Sequence, residues 1–101
     1  MYKHLVIWKL AQRTLAPAVV KEAETILREL RSCIPGLLKI ELACDLSGDE
    51  TAGDLALYSE FSSREAYLEY DHSAVHQRLK KLIGSHRKQR MGADYVVADA
   101  D

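Results

Sequence analysis

Polarity near the start of the chain alternates, but both alternating sets are apolar. From His4 to Leu10, His4, Val6, Trp8 and Leu10 fall on one side and Leu5 and Ile7 on the other, with Lys9 the clear exception. A period of two predicts a β-strand, and a strand apolar on both sides is one that is covered on both. After a short loop from Gln12 to Ala16, the period changes. Val19, Val20, Ala23, Ile26, Leu27 and Leu30 recur at three- and four-residue steps, Lys21, Glu22, Glu24, Arg28, Glu29 and Arg31 fill the opposite side, and Pro17 suits a first helical turn. This is an amphipathic helix lying on something. Pro35 disfavours helical geometry at Ile34 and Gly36 permits a turn, so the helix is expected to stop near Ser32 or Cys33.

From Leu38 to Leu46 the alternation is that of a half-buried strand, with Leu38, Ile40, Leu42, Cys44 and Leu46 on one face and Lys39, Glu41 and Asp45 on the other. The polar, Gly-containing stretch from Ser47 to Gly53 then reads as a hairpin loop. Leu55, Leu57 and Phe61 share one face of a third strand, expected to lie antiparallel to the second. Ser62 or Ser63 can cap the next helix, and Ser62 with Glu65 has capping-box spacing. Ala66, Tyr67 and Tyr70 form the apolar side of that helix. Asp71, His72 and Ser73 interrupt it, Ser73 can cap a further helix, and Val75, Leu79, Leu82 and Ile83 give that helix its stripe until Gly84. A fourth strand is expected from Met91 to Ala98.

The order β, α, β, β, split α, β predicts an α+β fold: a ferredoxin-like βαββαβ protomer with a four-stranded antiparallel sheet and helices on one face. That arrangement leaves the other face of the sheet bare. The first strand is apolar on that face too, so burial against a second copy in a symmetric homodimer is the economical expectation, with a different protein the alternative.

Composition narrows the partners. The 101 residues are 48% hydrophobic with a formal net charge of −1, which fits one domain over residues 1–101. Charge interrupts every apolar run, so no membrane-spanning helix is expected. The start of the chain has no pattern of a secretory signal, and the cytoplasm is the default location. Two cysteines, Cys33 and Cys44, are too few for a disulfide framework and are expected to be buried thiols. Lys and Arg cluster between Arg78 and Arg90, at Arg78, Lys80, Lys81, Arg87, Lys88 and Arg90. Phosphate or nucleic acid is the sharp reading of that run. A cationic helix C-terminus is the favoured one, because net charge is near zero and no aromatic residues interleave.

Among four histidines, two stand out. His4 shares the face of Val6 and Trp8, and His76 falls in the first turns of the last helix, so both would border one crevice if helices cover that face. A neutral imidazole there can move protons, and Tyr70 can add a hydroxyl. The alternative is that His4 frays at a sheet edge and His76 merely packs. His72 and His76 have metal-site spacing, but a cap at Ser73 puts His72 outside the helix and no third ligand follows, so no metal is expected. No phosphate loop, nucleophile elbow or paired-cysteine motif is present, and no cofactor is expected.

Together, Tyr2-Lys-His-Leu-Val-Ile-Trp-Lys-Leu10, Ile34-Pro-Gly-Leu37, Asp54-Leu-Ala-Leu-Tyr-Ser-Glu-Phe61, the Tyr70 to Gln77 segment, and Arg90 with Asp94-Tyr95 resemble the stress-responsive dimeric α/β barrel (Dabb) domain family. Within it the chain is similar to polyketide cyclases of the olivetolic acid cyclase type. The resemblance implies a homodimer whose sheets meet as a dimeric α/β barrel, a crevice for a small carbonyl or aromatic ligand, and catalytic roles for His76, Tyr70 and His4. His76 would be a general base and Tyr70 a hydrogen-bonding partner of the substrate. It also implies alternatives, since the same architecture hosts cofactor-free monooxygenases and stress-associated binding modules without catalysis. Trp8 stands where the cyclase has a smaller aliphatic residue, which would reshape the pocket, and His72-Ser-Ala-Val-His76 replaces the usual His-Pro-x-His.

Overall fold

The computed structural model describes residues 1–98; the last three positions of the expected domain, 99–101, lie outside the described residues. Four strands, β1 (Tyr2–Leu10), β2 (Leu37–Cys44), β3 (Leu55–Phe61) and β4 (Arg87–Val96), form one sheet in the order β2-β3-β1-β4, every neighbouring pair antiparallel. Three α-helices, α1 (Ala16–Cys33), α2 (Arg64–His72) and α3 (Ala74–Gly84), lie on one face, and a short 3₁₀ turn over Arg13–Leu15 leads into α1. This is the ferredoxin-like βαββαβ fold.

The core forms where the apolar stripes meet. Val6, Trp8 and Leu10 from β1, Leu55, Leu57 and Phe61 from β3, Val19, Ala23, Leu27 and Leu30 from α1, and Leu79 and Ile83 from α3 are buried together. β1 sits in the middle of the sheet, which explains its unusual composition: its helix-facing set is buried, while Leu5 is only half covered and Ile7 is 41% exposed on the bare face. Asp54 ties the ends of this layer together. Its buried carboxylate accepts from the Leu10 amide at 2.7 Å and from Arg13 Nη1 at 2.8 Å, fixing the β3 start against the exit of β1.

Several local expectations are corrected. A register shift between Leu37 and Lys39 buries Leu37 and turns Leu38 out to 55% exposure, and Leu46 lies past the strand end and is exposed. Strict alternation cannot foresee a bulge, which slips every side chain beyond it to the other face. Gly36 is not in the left-handed region; it is needed for room, since a Cβ there would lie 2.3 Å from Ala66 Cβ. Ser63, not Ser62, caps α2 by accepting from the Ala66 amide at 3.1 Å, while the Ser62 amide donates to the Gly36 carbonyl. The expected Ser62–Glu65 capping box therefore does not form. β4 starts at Arg87 rather than Met91, because pairing with Leu10 and Lys9 of β1 extends it backwards. Arg87, Lys88 and Arg90 thus belong to an edge strand, and the cationic helix end reduces to Lys81. The thiols are not buried either: Cys33 is exposed and Cys44 partly so. No helix among the described residues is long and apolar enough to cross a membrane.

Candidate functional site

The split between α2 and α3 builds the site. Ser73 ends one helix and starts the next: its amide and hydroxyl both donate to the Tyr70 carbonyl, at 3.1 and 2.8 Å, while the Ser73 hydroxyl oxygen accepts from the His76 amide at 3.1 Å. Ser73 therefore sets the spacing between Tyr70 in the last turn of α2 and His76 in the first turn of α3. Their rings stack at 4.3 Å between centroids with 38° between planes. His72 is the last residue of α2 and its side chain is 76% exposed, so it is held apart from His76.

His76 Nδ1 lies 3.0 Å from the Asp71 carbonyl oxygen. A carbonyl only accepts, so Nδ1 carries the proton and the neutral ring keeps its lone pair on Nε2. Burial pushes the imidazole pKa below its ordinary value, reinforced by the nearby Lys80 and His4 charges, and the Asp71 carbonyl and carboxylate only partly oppose it. His76 is thus a neutral proton acceptor at neutral pH.

His4 has the matching arrangement on the sheet side. β1 and β4 pair in a register that puts His4 opposite Asp94, and His4 Nδ1 donates to Asp94 Oδ1 across 2.5 Å. Tyr2 donates its hydroxyl to the other carboxylate oxygen at 2.7 Å. Burial would push the Asp94 carboxyl up, but these hydrogen bonds outweigh it and hold the group below the usual carboxylate range. The Tyr2 hydroxyl is pushed up to about 12 by desolvation and by the same carboxylate. Asp94 therefore stays ionised and orients the His4 ring, leaving Nε2 of this second imidazole without a partner on the carboxylate side. His4 is 5% exposed and sits on a central strand, so it is not fraying at an edge.

Tyr70 lies between the two imidazoles, its ring 6.2 Å from that of His4. It is fully buried, and its hydroxyl is the one buried side-chain polar atom among the described residues with no hydrogen-bond partner. Burial raises its pKa well above the ordinary phenol value, so it stays protonated and can donate. Tyr67, Tyr2 and Phe61 complete an aromatic wall around it.

His4, Tyr70 and His76 line one cavity of about 410 Å³ between the sheet and α3. Its walls are mixed: Val6, Trp8, Leu57, Leu79 and Ile83 supply the apolar part, and Lys80, Arg87 and Arg90 line it as cations against the single carboxylate of Asp71. Trp8 is part of the wall and leaves the cavity open. The three expected site residues are therefore brought together. Asp94 and Arg90 were not singled out from sequence as site residues; strand alternation puts them on one face of β4, but only the pairing with β1 brings that face to His4 and Trp8.

Residues 2–97 match the model of the Stress Responsive A/B Barrel Domain family, Dabb. The chain belongs to this family. No curated protein sequence matches the chain significantly. Among solved structures, this Dabb domain is similar to a dimeric protein of unknown function and ferredoxin-like fold from Bacteroides fragilis, 25% identical over 93% of each chain with a TM-score of 0.80. It is also similar to a Dabb family protein with a ferredoxin-like fold from Mesorhizobium loti, 19% identical over 97% of each chain with a TM-score of 0.73. A hydroxynitrile lyase from Passiflora edulis is 15% identical over 99% of this chain and 95% of its own, with a TM-score of 0.76. At these last two identities the likeness is one of fold.

Proposed function

We propose that this Dabb domain is a cofactor-independent enzyme, a lyase or cyclase that moves a proton on a small carbonyl compound bound in the cavity beside α3. His76 Nε2 takes a proton from a carbon next to a carbonyl. The Tyr70 hydroxyl donates to the oxygen on which negative charge then develops, the protonated His76 gives the proton back to the product, and His4, steadied by Asp94, offers Nε2 as a second acceptor through which the proton is relayed. The observation that carries this reading is the orphaned Tyr70 hydroxyl. A buried donor without an acceptor costs roughly 1–3 kcal/mol, and a substrate oxygen in the cavity would remove that cost. Both neighbouring imidazoles have Nδ1 engaged, which leaves Nε2 on each for chemistry. The mixed apolar and polar walls suit a compact organic ligand with polar groups, and the volume falls in the range of ligand sites.

The working unit in this proposal is a homodimer. Leu5 and Ile7 of β1, Ala56 of β3 and Met91 and Ala93 of β4 lie on the sheet face without helices, with Met91 78% exposed, and the similar protein from Bacteroides fragilis is dimeric. Two such faces brought together give the dimeric α/β barrel.

The test is deuterium exchange into the acidic carbon of 2,4-pentanedione, followed by NMR in deuterated buffer. The protein is expected to accelerate exchange over buffer, and His76→Ala and Tyr70→Phe are each expected to cut that acceleration by at least about 100-fold, the low end of what a positioned acid or base contributes. Unchanged exchange in both variants would overturn the proposal.

A further inference from the structure

We propose that Lys80, Arg87 and Arg90 form a carboxylate-binding site at the β4 end of the cavity, so that the substrate is a small organic acid held by its charge there. The reacting end of this molecule rests on the function proposed above; the anion site does not.

Three cations from two elements line a cavity that holds one carboxylate, although the chain as a whole carries a net charge of −1. Elsewhere Arg13 pairs with Asp45 and Asp54, Lys39 with Glu41 and Arg78 with Glu29, while the other cations are scattered over the surface; what sets these three apart is that they line one cavity. Among the described residues none of Lys80, Arg87 and Arg90 has a carboxylate within 4.0 Å. All three side chains are exposed at the cavity mouth, where an entering anion meets them before the apolar residues Val6, Leu57, Leu79 and Ile83.

Arg90 is the centre of the site. It faces the helices opposite Trp8, with Gly92 and then Asp94 following on the same side of β4. A Cβ at Gly92 would lie 3.4 and 3.5 Å from the two terminal nitrogens of Arg90 and 3.2 Å from the Leu5 carbonyl oxygen, so the guanidinium folds back along its strand over a position that has no side chain. Its planar fork suits bidentate contact with a carboxylate. Four residues of strand separate Arg90 from Asp94, roughly 13 Å between Cα atoms, and the His4 imidazole stands opposite Asp94. A short acid anchored at Arg90 therefore lies along the cavity with its far end toward Tyr70, His76 and His4.

Trp8 is the only tryptophan and lines the cavity, so its fluorescence reports occupancy. Titration with benzoate and with its neutral isostere benzamide separates charge recognition from apolar fit. Benzoate is expected to bind at least tenfold more tightly. Arg90→Gln is expected to erase that preference with benzamide binding unchanged, Lys80→Gln to reduce it, and Lys88→Gln, which alters a neighbouring cation outside the cavity lining, to preserve it. Equal affinity for the two probes, or a preference that survives Arg90→Gln, would overturn the site. A preference lost as fully in Lys88→Gln would also overturn it, since general attraction then explains the effect. His76→Ala is expected to retain the benzoate preference, so a charge site that persists when carbon exchange fails leaves this inference standing and removes only the catalytic one.

Discussion

Tyr70 carries a cost that an acceptor in the cavity would relieve. Its hydroxyl is fully buried and unbonded, so replacing it with phenylalanine removes an unsatisfied donor while keeping the ring stacked on His76. Tyr70→Phe is expected to leave stability unchanged or raise it by about 1 kcal/mol in thermal unfolding, even as exchange activity falls. A clear loss of stability would mean that the hydroxyl is bonded. The neighbouring imidazole makes a pH prediction. Burial lowers the folded-state pKa of His76, so the unfolded chain takes up this proton first as pH falls through about 6.5. The group therefore favours folding most above that pH, and its contribution declines on acidification down to the folded value. NMR titration of the His76 ring is expected to give a midpoint below 6.5, and the acid limb of activity is expected to follow it. Which histidine would matter was legible in the sequence from its place on a helix face. The tautomer was not, because it depends on the Asp71 carbonyl at 3.0 Å.

Elements here are defined as much by their stops as by their stripes. Ser73 closes α2 and opens α3, and the break it makes is what lets Tyr70 and His76 share a stack. Ser73→Ala is expected to destabilise the fold by about 1 kcal/mol in urea denaturation and to lower activity, whereas Ser73→Thr keeps the cap and most of both. The Ser73 cap was readable because Ser before an apolar stripe is a local signal. The Ser62 capping box was misread for a tertiary reason: the Ser62 amide goes to Gly36 on the turn before β2, which hands the cap to Ser63. The start of β4 was hidden in the same way. Arg87 to Arg90 have no apolar alternation, and they become strand only because β1 offers them a partner.

Across the whole molecule the sheet has one face under helices and one without. The bare face leaves Ile7 41% and Met91 78% exposed, apolar surface that a second copy would cover. Light scattering at micromolar concentration is expected to give a species of twice the 11.4 kDa chain. Ile7→Asp, which puts a charge at the centre of that face, is expected to shift it to monomer; a wild-type monomer would remove the barrel from the proposed function. The helix-covered face gives the opposite result, a packed core with a cavity between the sheet and α3 that Arg87 and Arg90 of β4 help to line.

What the sequence determined by itself was the order and polarity of the elements. Periods of two and 3.6, the break at Pro35 and the cap at Ser73 are local signals, and they suffice for a βαββαβ chain with His4, Tyr70 and His76 directed to the helical side. Tertiary structure decided the chemistry of that side. The β1–β4 register pairs His4 with Asp94 and brings Arg90 to the cavity, the packing of Tyr70 among Phe61, Tyr67, His4 and His76 leaves its buried hydroxyl without a partner, and the bulge near Leu37 selects which leucine enters the core. These depend on residues far apart in the chain, such as His4 and Asp94, 90 positions apart, and no local pattern encodes which of them meet.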